Sequence, residues 1–159
     1  MSDVKTSSRP AAAYDTDFYA WTQDQAEKIR ARRHNELDWE NLAEEIESVG
    51  RSEKRQLRSR LEVVLLHLLR WQHQPAKRKY GWRVTIGYQR RMINSILKDS
   101  PSLRRFPSEV IGDCYQTARI KAIDETDLSA ETFPLSCSYA LDEILDDAFF
   151  PGPLEPDIR

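Results

Sequence analysis

The sequence has little glycine, little cysteine and no long apolar run, and each shortage excludes a class of protein. Its 159 residues include five scattered glycines and match neither Gly-x-Gly-x-x-Gly nor the P-loop pattern, which disfavours dinucleotide and nucleoside triphosphate binding. The two cysteines, Cys114 and Cys137, form no CxxC motif, which favours buried thiols over a disulfide or a zinc site. The longest aliphatic run, Val63 to Leu66, is too short to span a bilayer.

Motifs of catalysis and of secretion are also missing. The chain contains no Gly-x-Ser-x-Gly, no HExxH and no Glu-x-x-His, so no catalytic residue and no cofactor is predicted. The segment MSDVKTSSRPAAAYD lacks the apolar core of a signal peptide, which predicts a cytoplasmic protein without a membrane partner.

Charge is distributed in three blocks, although the net charge of the chain is only −2. Residues 1–50 hold 6 Lys/Arg against 11 Asp/Glu, residues 51–105 hold 15 against 3, and residues 106–159 hold 3 against 12. This basic centre between acidic ends is the strongest compositional signal in the sequence. It indicates either charge pairing within the chain or a partner of opposite charge.

Apolar residues recur at spacings of three and four, and no segment sustains an alternation of period two. The sequence therefore predicts an all-α fold, a single-domain helical bundle of about five main helices built round a long central helix over about residues 38–74. We expect residues 1–13 to be a disordered tail, residues 14–150 to be the domain, and residues 151–159 to be a flexible proline-rich tail.

The long helix is predicted from an apolar stripe and a charged stripe that stay in phase across Gly50. Asp38 is placed as its N-cap, and Pro75 ends it because the residue before a proline is pushed out of the α region. A helical glycine costs roughly 1 kcal/mol relative to alanine, so a bend at Gly50 stays open. The apolar stripe runs through Trp39, Leu42, Ile46, Val49, Leu57, Leu61, Val64, Leu68 and Trp71.

Four shorter helices complete the prediction. The first runs from about Asp15 to Arg33, with Phe18, Trp21, Ala26 and Ile29 facing inward. The third runs from about Trp82 to Lys98, with Arg90 on its exposed face. The fourth begins at Phe106 and ends before Asp127, and Ser136 is placed as the cap of the last.

Three stretches of the sequence resemble a bacterial family known as domain of unknown function twenty-nine. They are YDTDFYAWTQDQA, LDWENLAEEIESVGRSEKRQLRSRLEVVLLHLLRWQHQP and GWRVTIGYQRRMI, and they occur in this order. The resemblance covers about residues 14–150 and implies a small helical bacterial protein. It implies no activity, cofactor or catalytic residue, so no site is carried over from it.

A glutamate stripe and two histidines suggest a metal-dependent site. If the long helix is continuous, however, Glu44 and His67 lie about 35 Å apart along its axis and cannot share an ion within one molecule. A hairpin at Gly50 or an antiparallel partner chain would bring such residues together. A solvated acidic face is the favoured interpretation, and no metal ligand is predicted. His67 is interpreted as a histidine at the edge of the core, hydrogen-bonded to a carbonyl or a carboxylate. The glutamate stripe consists of Glu40, Glu44, Glu45 and Glu47, and the two histidines are His67 and His73.

Lys77, Arg78, Lys79 and Arg83 precede or occupy the first turn of the third helix, the end of a helix that attracts anions. Four cations at this end predict that an anion binds there. An internal anion is one interpretation, and its sources are Asp142, Glu143, Asp146 and Asp147 on the last helix, or Glu44 and Glu47.

An external anion is the other interpretation. It is either an acidic protein or the phosphate backbone of a nucleic acid, with Tyr80 and Trp82 available to stack on bases. Trp82 also begins the apolar stripe of the third helix, which favours packing of its ring into the core.

Taken together, the sequence favours a cytoplasmic, non-enzymatic module that acts through protein–protein contacts, including contacts with a second copy of itself through the long helix. The first alternative is a nucleic-acid-binding module that uses the basic centre, residues 51–105. The second is a metal-dependent enzyme that uses the glutamate stripe with His67 and His73.

Overall fold

The computed structural model describes residues 14–152, which form five α-helices and four short 3-10 turns and contain no strand. The all-α prediction around one long helix is confirmed. The predicted tail over residues 1–13, and residues 153–159 of the predicted C-terminal tail, lie outside the described residues. The helices are α1 (Phe18–Arg30), α2 (Trp39–His73), α3 (Tyr80–Asp99), α4 (Phe106–Thr126) and α5 (Leu141–Leu145).

Helix α2 runs without interruption through Gly50 for 35 residues. The predicted continuous helix is confirmed, and Arg70 and His73 in its last turn complement the negative end of its dipole. The contacts within the chain divide it into two compact units, unit 1 ending at Gly50 and unit 2 beginning at Arg51. We call Trp39–Gly50 the first half of α2 and Arg51–His73 the second half.

In unit 1, hydrogen bonds join α1 to the start of α2. Asp17 caps α1 by accepting a 3.0 Å hydrogen bond from the Ala20 backbone N–H. The indole N–H of Trp21 donates to Asp38 Oδ2 over 3.1 Å, and the Asp38 backbone N–H donates to Gln25 Oε1 over 2.8 Å. Trp21 and Gln25 are therefore the buried residues of α1.

The inward positions predicted for Phe18 and Ile29 are wrong, since both side chains are exposed. The face of α1 that is turned inward is chosen by hydrogen bonds at Trp21 and Gln25 as well as by apolar burial. A pattern that counts only apolar residues does not register the buried glutamine.

Unit 2 contains one hydrophobic core, to which the second half of α2 contributes most. Within this half, residues 61–71 are apolar over most of the helix circumference, which is typical of a central helix. Helices α3, α4 and α5 and the segment before α5 supply the rest. The buried residues of this core are Leu57, Leu61, Val64, Leu65, Leu66, Leu68, Leu69, Ile86, Ile93, Ile96, Val110, Cys114, Tyr115, Ala118, Ala122, Phe133, Tyr139 and Ile144.

The last helix begins later than predicted. Ser136 does not cap it, because α5 begins at Leu141 after Ala140, whose backbone N–H donates to Glu143 Oε2 over 2.9 Å. The start of α5 is thus stabilised by a glutamate that reaches back to the residue before the helix. Helix α4 ends as predicted, with Asp127 in the left-handed region at a φ of 57°.

Candidate functional site

The predicted anion-binding residues lie where a short 3-10 turn, Pro75–Lys77, leads into α3. Lys77, Lys79 and Arg83 are exposed, and Arg78 is half-buried. The Nε–H of Arg78 donates to the Trp71 backbone carbonyl over 2.8 Å. Arg78 therefore has a structural contact inside unit 2, while the anion-binding role of the four residues stays a prediction.

Aromatic rings lie against several of these cations. The guanidinium carbon of Arg78 is 4.9 Å from the centroid of the Trp71 ring, and that of Arg83 is 4.8 Å from the Phe150 ring. Trp71 and Phe150 themselves pack with centroids 5.1 Å apart. Cation–π contacts of this kind stabilise by about 0.5–1 kcal/mol at exposed sites and more when desolvated. The basic centre is thus held partly by ring faces, a type of partner that counting charges does not reveal.

Gly152 allows the chain to pass close to this cluster. Its φ is +101°, a conformation that side-chain-bearing residues rarely adopt, and a Cβ built there would be 2.8 Å from Arg78 Nη2. Glycine at this position therefore lets the segment after α5 lie against Arg78.

Trp82 and Tyr80 have opposite environments at the start of α3. Trp82 is buried, as its place at the head of the apolar stripe predicted, and the guanidinium of Arg70 lies 4.6 Å from its ring centroid. Tyr80 is 76% exposed, and Tyr88, two turns further along, is 55% exposed. The aromatic surface of this basic helix is therefore formed by two tyrosines.

Arg90 was predicted on the exposed face of α3, and this prediction is wrong because the residue is fully buried. Its Nε–H donates to the Ile144 carbonyl over 2.7 Å and its Nη2 to the Phe149 carbonyl over 2.9 Å. Burial lowers the pKa of Arg90, and the charges of Asp147 and Asp146 act in the opposite direction. Arg90 thus anchors the C-terminal segment through backbone carbonyls at the end of α5, where a cation is favourable.

Unit 1 exposes an apolar stripe on the first half of α2. Trp39, Ile46 and Val49 are 61%, 72% and 67% exposed, and Leu42 between them is half-buried. The spacings of three and four residues place all four on one face of the helix. Among the described residues, the hydrogen bonds that Trp21 and Tyr14 make to this part of the chain end on Asp38 and Glu45 and not on these four side chains. From here on, the apolar stripe denotes only these four residues in the first half of α2: Trp39, Leu42, Ile46 and Val49.

A polar groove of about 490 Å³ lies between the second half of α2 and α3 in unit 2. At one side of it, Arg60 Nη1 donates to Gln89 Oε1 over 2.9 Å. Within the described part of the chain, the buried Nε–H of Arg60 has no hydrogen-bond acceptor. The groove is lined by Ser52, Arg55, Gln56, Ser59, Arg60, Val63 and Gln89.

A family model described as domain of unknown function DUF29 matches residues 13–150, nearly all of the chain. The chain belongs to the DUF29 family. This match confirms the resemblance of the three quoted stretches. No curated protein and no solved structure matches the chain. The description of the DUF29 family assigns no activity.

The acidic stripe and the histidines of this DUF29 chain do not come together. Glu44 and His67 lie on the same continuous helix, which separates them by about 35 Å along its axis. His67 Nδ1–H donates to the Val63 carbonyl over 2.9 Å, which confirms its interpretation as a core-edge histidine. Among residues 14–152, no three His, Cys, Asp or Glu side chains are grouped so as to hold a metal ion.

The cysteines of the DUF29 chain are free thiols rather than a disulfide. Cys114 is buried, as predicted, and burial raises its pKa to about 11, which keeps the thiol protonated and unreactive at neutral pH. Cys137 is half-buried. None of the helices in residues 14–152 is long and apolar enough to cross a membrane.

Proposed function

We propose that this DUF29 protein is a non-enzymatic interaction module that docks a partner helix on the apolar stripe. The observation that carries the proposal is the exposure of Trp39, Ile46 and Val49 along one face of a regular helix. Single exposed apolar residues are ordinary, whereas a contiguous row of them is typical of an interaction surface. The proposal takes the protein to be cytoplasmic, which stays a prediction of the sequence.

The stripe has the composition of a binding surface. Full burial of a large apolar side chain stabilises by about 1.5–3 kcal/mol, and tryptophan is the residue type most enriched among those that dominate binding energy. The stripe offers one tryptophan, two β-branched residues and a leucine at spacings that fit the side chains of a second helix. Exposed glutamates, among them Glu40 and Glu44, lie elsewhere on the same helix and supply a polar surround.

Site-specific photo-crosslinking tests this function. A benzophenone side chain at Ile46 should yield, in cells, an adduct of discrete mass, because a docked helix brings C–H bonds next to the probe. The matched control is the same probe at Ile120, which is 66% exposed on α4 in unit 2. Equal adduct yields from the two positions, or none from Ile46, would exclude docking on the stripe.

Nucleic-acid binding is a second candidate, favoured by the exposure of Tyr80 and Tyr88 on the basic helix α3. Eight residues separate the two rings, or about 12 Å along the helix axis, so each can stack on a different base of a single strand. Exposed Lys77 and Lys79 precede the helix and can contact phosphates.

A mobility-shift titration tests this second candidate. If Lys77 and Lys79 contact phosphates of a single strand, the double change Lys77→Gln with Lys79→Gln should reduce the slope of log K against log salt by about 0.7 for each lost contact. Lys98→Gln, at an exposed position near the end of α3, is the matched control. Absence of any shift at low salt would remove the candidate.

A further inference from the structure

We propose that the partner is a second copy of this chain, aligned antiparallel along α2, so that the apolar stripe of each copy lies in the polar groove of the other. This inference rests on the proposed function, since it names the occupant of the same stripe. Its two supports are the register of α2 and the distribution of charge along it.

The register connects the stripe with the groove. The spacings of the stripe continue along α2 through Glu53, Gln56, Arg60 and Val63, which gives a heptad pattern of about 36 Å. The last three of these residues line the groove. We place the two-fold axis of the antiparallel pair near residue 51. Each residue of the stripe then lies opposite a residue of the other copy, and each pairing occurs twice. The pairings are Trp39 with Val63, Leu42 with Arg60, Ile46 with Gln56, and Val49 with Glu53.

The volume and the lining residues of the groove fit the side chains that would enter it. At about 490 Å³ it is large enough for a bulky side chain such as an indole, and Val63 offers it an apolar contact. Arg60 lies one turn before Val63 on α2, and an indole ring on the face of a guanidinium is a favourable cation–π arrangement. Trp39 of one copy is the residue that the register places there.

Charge selects the antiparallel direction. Residues 38–50 contain five acidic residues and no Lys or Arg, whereas residues 51–60 contain five Lys or Arg and one Glu. Helices pack about 8–10 Å apart, which is comparable to the Debye length at physiological salt, so these charges act across the pair. An antiparallel pair sets the acidic half against the basic half, and a parallel pair sets like charge against like.

The same register makes the pair reversible. Three of its positions, Glu53, Gln56 and Arg60, are polar, and polar residues in a heptad seam specify the alignment while lowering affinity. We expect a dissociation constant on the order of micromolar, with a symmetric, isologous interface.

Disulfide trapping in the full chain tests the alignment, with Cys137→Ser as background. Mixed Ile46→Cys and Gln56→Cys chains should form a disulfide-linked dimer under mild oxidation, because an antiparallel pair brings these positions within bonding range. Ile46→Cys alone should stay monomeric on a non-reducing gel. A dimer from Ile46→Cys alone would instead show a parallel pair and overturn the proposal. Circular dichroism of each variant checks that the helices are retained.

Sedimentation equilibrium tests the association itself. The wild-type chain should dimerise at tens of micromolar, and Ile46→Lys should weaken the dimer at least about tenfold, since it removes an apolar contact and sets a cation against Arg55 and Arg60, which line the groove of the other copy. Added salt should weaken an antiparallel dimer and strengthen a parallel one.

A monomer at every concentration overturns the second-copy proposal. If photo-crosslinking at Ile46 then yields an adduct with a different protein, docking on the stripe still stands. If it yields none, both proposals fail, so the two failures are distinguishable.

Discussion

The two halves of helix α2 have related apolar periodicity and bury it to opposite degrees. In the second half, Leu57, Leu61 and Val64 are fully buried under α3, α4 and α5. In the first half, Trp39 and Ile46 point into solvent. Both halves belong to one regular helix, so local backbone conformation does not account for the difference.

The difference lies in the helices that each unit supplies. Unit 2 surrounds its half of α2 with three helices, whereas the described part of unit 1, residues 14–50, provides one further α-helix, Phe18–Arg30, of 13 residues. That helix contacts α2 through Trp21 and Gln25, which bond to Asp38. A periodic apolar pattern thus predicts which residues share a face, but the number of neighbouring elements decides whether that face is covered within the chain.

The largest expected effect contrasts a buried with an exposed position of α2. Leu61→Ala should lower the free energy of unfolding by about 2–5 kcal/mol, because it leaves a cavity in the core of unit 2. Ile46→Ala should change it by no more than about 0.5 kcal/mol at low protein concentration, where the side chain is solvated. Urea unfolding followed by circular dichroism measures both. Equal losses would contradict the difference in burial between the halves.

Arg90→Met should lower the free energy of unfolding by about 1–3 kcal/mol, because the carbonyls of Ile144 and Phe149 lose their donor. It should also expose the segment after α5 to proteolysis, which a gel time course detects. Arg91→Met, at the exposed neighbouring position, is the control and should change neither. An unaltered digestion pattern in Arg90→Met would mean that the segment is held by other contacts.

Gly50→Ala tests the junction between the two halves. A Cβ at Gly50 meets no atom within 4 Å, so alanine should stabilise the helix by about 0.5–1 kcal/mol. Gly152→Ala provides the contrast, since its positive φ makes any side chain strained and the substitution should destabilise. Thermal unfolding measures both changes. A loss of stability in Gly50→Ala would show that the junction needs the freedom of glycine.

The smallest expected effect is a dependence on pH that belongs to the second half of α2. Burial lowers the pKa of His67, and the hydrogen bond to the Val63 carbonyl partly opposes this shift. The imidazole of His67 therefore binds a proton more tightly in the unfolded chain than in the folded chain. Its contribution to the free energy of unfolding is complete above about pH 6.5, and it is lost as the pH falls through the lowered pKa of the folded chain. His67→Gln should flatten this slope in urea titrations between about pH 7 and pH 5. An unchanged slope would assign the effect to another group, such as His73.

Local sequence signals predicted most of the fold. The Phe106 start of α4 and its end before Asp127 depend on residues next to each other in the chain, and both are confirmed. The burial of Trp82 followed in the same way from the stripe that it begins.

The site residues depend on neighbours that are distant in sequence. Arg90 is buried because it donates to the carbonyls of Ile144 and Phe149, which lie 54 and 59 residues further along the chain. The residues around Arg90 in the sequence do not predict these acceptors. The groove likewise depends on Gln89 lying next to Arg60 across two helices. Periodicity singled out Trp39 and Ile46, but their exposure depends on which helices fold onto them.

The uneven burial of the tryptophans gives the molecule its own optical probe. Of its four tryptophans, Trp21, Trp71 and Trp82 are buried and only Trp39 is exposed. Fluorescence that aqueous iodide quenches therefore comes mainly from one indole, and that indole lies on the apolar stripe. Its emission should shift to shorter wavelength when a partner covers the stripe, so docking on unit 1 is observable without any label.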